Sequence, residues 1–115
     1  MVSIATVFSA ALSFPETDEH PHFDRTAFRV KKKIFATLPV ADHTLNLRLT
    51  PADQFIYCKA DPVSVIPVPN AWGKQGWTTI NLKKIKISLF KEMLEKAFLT
   101  AAPVKTARQY RQQLK

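Results

Sequence analysis

Arg29, Lys31, Lys32, Lys33, Arg48, Lys74, Trp77, Lys83 and Lys84 are the residues whose types and spacing suit binding to a polyanion. Ammonium and guanidinium groups meet phosphates, and a flat indole can stack on a base for about 1–3 kcal/mol. Their distribution sharpens the point. Through Asp61 there are seven Lys/Arg and seven Asp/Glu, whereas beyond it ten Lys/Arg face only Glu92 and Glu95. The whole net charge of +8 therefore lies in the second half. Such asymmetry predicts attraction to nucleic acid or to an acidic protein surface; plain solubility by charge explains it equally well.

Other chemistry is less well supplied. Asp18, Glu19, His20, His22 and Asp24 put an H-x-H pair among carboxylates, a spacing that can hold zinc or iron. A proline intervenes, however, and no third ligand stands at a set distance, so turn and capping duties in a surface loop fit these residues better. His43, beside Asp42, has no evident partner. Cys58 is the only cysteine, which excludes an internal disulfide, fits a reducing compartment and reads as a buried structural thiol. No serine or cysteine sits in a nucleophile motif and no carboxylate pair has a recognisable scaffold, so the expectation is a non-enzymatic protein without cofactor or metal.

The elements that must position these residues can be read from periodicity. Ile4, Val7, Phe8, Ala11 and Leu12 make one helical stripe with Ser3 available as N-cap, ended by Pro15. This apolar start lacks a basic flank and falls far short of the ~20 residues of a membrane span, which predicts a core helix and a cytoplasmic protein. "PETDEHPHFD" reads as a polar loop, and "TAFRVKKKIFATL" as a hairpin about Lys31–Lys33, with no Gly or Asn to set its turn type. "TLNLRL" alternates cleanly, Leu45, Leu47 and Leu49 inward, Asn46 and Arg48 outward.

Thr50-Pro51-Ala52-Asp53 is a helix start, running to about Lys59, and "VIPVPN" cannot be a central strand. After a Gly73–Gly76 connection a strand runs from Trp77 to Leu82, with Trp77, Thr79 and Asn81 on one side. The spacing there predicts positive-φ glycines, Trp72 packed back over the core, and Lys74 projecting from the turn. Ser88 can cap a last helix with Leu89, Phe90, Met93, Leu94, Ala97 and Phe98 inward, and the basic tail after Pro103 predicts a short peripheral helix.

The order implies one domain over 1–115 with an α+β plan: a mainly antiparallel β-sheet with helices packed on one face. Arg29, Phe35, Asn46, Arg48, Trp77 and Thr79 are then expected on the open face, the competing placement burying Phe35 and Trp77. "FDRTAFRVKKKIFATL", "NLRLTPADQ", "VIPVPNAWGKQGWTTINL" and "LEKAF" resemble the YjbR/MmcQ-like family of small bacterial proteins, over about residues 14–98. That resemblance implies a frataxin-like (CyaY-like) fold and DNA binding through a "double wing" of β-hairpins. The first wing would be the hairpin from Phe28 to Leu38, and the second would involve Gly73-Lys74-Gln75-Gly76 and the strand it feeds. The leading expectation is a DNA-binding module of low specificity. The alternatives are a protein-interaction domain docking an acidic protein on its open sheet, or a small-ligand or metal-binding protein using the histidine segment; a monomer is expected throughout.

Overall fold

The computed structural model describes residues 1–39 and 41–114 of the chain. Among the described residues there are five helices and six strands, and every strand pairing is antiparallel. The strands are β1 (Thr17–His22), β2 (Arg25–Val30), β3 (Lys33–Pro39), β4 (Thr44–Arg48), β5 (Val65–Pro67) and β6 (Trp77–Asn81). They form one sheet in the order β1-β2-β3-β4-β6-β5. The helices are α1 (Ile4–Ala11), α2 (Pro51–Ala60), α3 (Ala71–Lys74), α4 (Ile87–Ala101) and α5 (Val104–Gln113).

Local chemistry starts the helices where the sequence suggests. The Ser3 hydroxyl accepts from the Thr6 amide at 3.1 Å to begin α1. Thr50 does the same for Asp53 at 3.1 Å, with Pro51 at the first helical position of α2. α4 begins two residues earlier than expected. Lys86, not Ser88, occupies its N-cap position and supplies no side-chain bond. Burial drives that helix instead: Phe90, Met93, Leu94, Ala97 and Phe98 are all but inaccessible, and a large apolar side chain contributes about 1.5–3 kcal/mol when fully buried.

The two faces of the sheet follow from register, because residues opposed in an antiparallel ladder share a face. One cross-strand row reads Phe28, Ala36, Leu47, Thr78, all fully buried beneath the helices. The next row, His20, Ala27, Thr37, Asn46, Thr79, Ile66, points to the other side. Phe35 departs from the expected alternation. Phe28 opposes Ala36 and Arg29 opposes Ile34, so Phe35 is the extra residue of a β-bulge. The bulge turns its ring into the core, edge-on to Phe14 and Phe98 at 6.3 and 6.0 Å. Its expected place on the open face is thereby corrected.

The segment expected to be a loop, Thr17–His22, is an edge strand paired along its whole length with β2. Its charges and Pro21 suit an edge that must resist pairing with another chain. Val65–Pro67 forms the opposite edge, where proline is tolerated. The basic tail is firmly docked: Tyr110 of α5 packs on Phe14 and Phe98, each at 5.3 Å, and its hydroxyl donates to the Glu95 carboxylate. Burial, then that carboxylate, push the Tyr110 phenol up to about 12. Lys115, the end of the tail, lies outside the described residues.

Candidate nucleic-acid interface

Lys31 and Lys32 form the two-residue loop between β2 and β3, and both have positive φ, 49° and 69°. Two successive left-handed residues define a type I′ hairpin turn, normally built from Asn and Gly. Here two lysines occupy it at a conformational cost. The turn holds Lys32 and Lys33 out at the end of the sheet, both exposed. Lys31 differs, because its Nζ lies 3.0 Å from Glu16 Oε1. Hydrogen bonds from Lys31 and from Thr106 of α5 hold the Glu16 carboxyl below the usual range. Arg29 is committed in the same way, forming a two-pronged pair with Asp18 at 2.8 and 3.1 Å that holds the Asp18 carboxyl down.

Register brings further cations to that end. Ala36 opposes Leu47 and Arg48 opposes Trp77, so the start of β3, the end of β4 and the start of β6 share one margin. Lys74, in the last turn of α3, precedes Trp77 by three residues and is exposed. Lys32, Lys33, Arg48 and Lys74 therefore border one end of the open face, with no acidic partner within 4.0 Å among the described residues. Lys83 and Lys84 do not join them. They follow β6 at the other end, where the Asn81 side chain accepts from the Lys83 amide at 3.0 Å. A strand rise of ~3.4 Å per residue puts that turn roughly 20 Å away from Trp77.

The aromatic component is supplied by Trp72 and Trp77. Gln54 of α2 fixes their connection, its Nε2 donating to both the Gly73 and the Trp77 carbonyls at 2.9 Å. Asn70 caps α3 by accepting from the Trp72 amide at 2.9 Å. Only Gly76 of the two glycines has positive φ, at 109°. Gly73 is required by proximity, since a Cβ there would sit 1.7 Å from the Val68 carbonyl oxygen. This rigid loop turns Trp72 outward: it is 59% exposed, not packed over the core as expected. Trp77 is half-buried on the open face beside Arg48.

Between Trp72, Trp77 and the β1–β2 turn lies a cleft of about 440 Å³. Thr37 and Asn46 line its middle, and Arg25 and Phe23 its far wall. Asn46 Oδ1 accepts from the Thr79 hydroxyl at 2.7 Å, and the two amide N–H donors of Asn46 have no hydrogen-bond partner among the described residues. The alternation of "TLNLRL" gives Asn46; the cleft roles of Phe23, Arg25 and Trp72 are missed by sequence reasoning, because they depend on how two distant loops meet.

The other candidates fare differently. His20 and His22 lie two apart on β1 and so share the open face, and the described residues contain no group of three His, Cys, Asp or Glu placed to hold a metal ion. Cys58 is half-buried, and burial pushes its thiol up, away from nucleophilic character. No helix among the described residues is long and apolar enough to cross a membrane.

A family model for YjbR matches residues 12–100. The chain belongs to the YjbR family. The match takes in both hairpin ends of the open face and stops short of α5. Among solved structures, the YjbR chain is similar to a Deinococcus radiodurans protein with a DUF419 domain. The TM-score is 0.79 at 21% identity, covering 99% of this chain and 88% of that one. It is also similar to a Pseudomonas syringae protein, with a TM-score of 0.67 at 16% identity, covering 87% of this chain and 99% of that one. At those identities the likeness concerns the fold. No curated protein sequence matches significantly.

Proposed function

We propose that this YjbR protein is a non-enzymatic, cytoplasmic DNA-binding module of low specificity, which lays the open face of its sheet against the phosphate backbone. One observation carries the reading: cations and aromatics interleave on that face. Trp72 and Trp77 line one cleft, Trp77 opposes Arg48, and Lys74 and the Lys32–Lys33 hairpin end border them. Phosphates attract the former groups and bases the latter. Lys83 and Lys84 fall outside this footprint, and Arg29 and Lys31 enter it only weakly because acidic neighbours neutralise them. An acidic protein partner would use the same cations but gives no role to the outward Trp72.

Four available cations set the expected salt response. With a slope of about −0.9 per phosphate contact, affinity for duplex DNA should fall about 150-fold between ~50 and ~200 mM salt. Fluorescence anisotropy with a labelled duplex measures this directly. Lys32→Ala with Lys33→Ala should flatten the slope by about 1.8. Absence of binding at low salt, or a slope untouched by the double variant, would remove the proposal and leave the acidic partner as the better reading.

A further inference from the structure

The cleft beside the cations has a composition of its own. Its outer wall is Phe23, 96% exposed, in a two-residue turn where it alone has positive φ, 59°. That is the pattern of a type II′ turn, whose first central position is normally glycine. A bulky aromatic there is both backbone-strained and exposed to water, and strain of this kind persists where function maintains it. Trp72, held out by the Gln54 clamp, and the half-buried Trp77 line the same cleft. The floor carries the free amide donors of Asn46.

We propose that this cleft receives an unpaired nucleobase, so that the preferred ligand is a single-stranded nucleic acid. The base would insert between Phe23 and Trp72, with Trp77 at its edge and Asn46 donating to a base carbonyl or ring nitrogen. The adjoining phosphates lie on Lys74 and Arg48 outside the cleft. Charge separates the two roles: Asp24 stands at the cleft wall beside Arg25, its nearest oxygen 3.5 Å from the guanidinium, which leaves the cleft near neutrality. A neutral planar ring suits it and a phosphate does not. At 440 Å³ the cleft falls within the usual range of ligand pockets, about 300–1,000 Å³.

This inference rests on the nucleic-acid reading above but can fail separately from it. The full-length protein is titrated with labelled oligothymidylate, with an abasic strand of the same length and phosphate number, and with duplex. Oligothymidylate should bind about 5- to 150-fold more tightly than the abasic strand, the range that one stacked base supplies. Trp72→Ala should remove most of that difference, and the exposed position makes the variant safe to fold. Phe23→Gly relieves the strained turn, so its stability should hold or rise while the base-dependent difference narrows. Equal binding of the two strands, or a difference that survives both variants, overturns the cleft and spares the phosphate contacts. Failure of all three nucleic acids to bind overturns both readings.

Discussion

The β2–β3 turn offers a perturbation whose sign is unusual, in that removing a side chain should stabilise the fold. Lys32 occupies the second central position of the type I′ turn with φ of 69°, and it is exposed with no ion pair among the described residues. Left-handed backbone costs a non-glycine residue about 1–2 kcal/mol, which glycine escapes. Glycine also loosens the unfolded chain, costing about 0.4–1 kcal/mol. The difference leaves Lys32→Gly more stable by roughly 0.5–1 kcal/mol, or roughly 2–4 °C in Tm for a chain of this size. Lys33→Gly, one residue later at the start of β3 and without positive φ, should lose roughly 0.5–1 kcal/mol instead. Urea denaturation followed by circular dichroism, with unchanged m-values, reads both. A destabilised Lys32→Gly, or the same sign for both variants, would refute the assigned turn and the idea that strain there serves to present the lysine.

Three further outcomes are expected. Glu16→Gln and Asp18→Asn should strengthen DNA binding at low salt, each releasing one cation and steepening the salt slope by about 0.9; weaker binding would contradict the neutralising role of those carboxylates. Because both carboxyls titrate lower folded than unfolded, their stabilisation is complete above the ordinary carboxylate values and is lost as pH falls through the folded ones. The urea midpoint should therefore drop as pH falls below the ordinary carboxylate values, and drop less in the double variant. Gly73→Ala, which helix propensity alone would favour, should instead destabilise by about 2 kcal/mol or more, since its Cβ meets the Val68 carbonyl; a thermal melt at or above wild type would refute that contact.

Much of this architecture was legible because local and tertiary preferences agree. The strict alternation of Leu45, Leu47 and Leu49 makes β4, and Thr50-Pro51 with Asp53 makes the start of α2, each by a rule confined to a few residues. The departures come where a second strand or a distant loop decides. Phe35 follows the alternation of its own strand until the bulge opposite Phe28 resets it, and a bulge belongs to the pair of strands. β1 carries almost no apolar signal because it is an edge strand with nearly all its side chains in water. Trp72 faces outward because Gly73 abuts Val68 and Gln54 ties the loop from another helix. Within the interface, the lysine hairpin end, Arg48 and Trp77 came from local pattern. The separation of Lys83 and Lys84 became visible only once the strand order was known.

The most direct test is a backbone amide NMR titration of the protein with a short single-stranded DNA, because the exposed Lys105, Arg108 and Arg111 of α5 offer a competing basic surface on the helical side. Shift changes should concentrate at Phe23, Lys33, Asn46, Arg48 and Trp72 to Trp77, weakening together as salt rises. Shifts confined to α5, or to the Lys83–Lys84 turn, with the open face silent, would contradict the proposed interface.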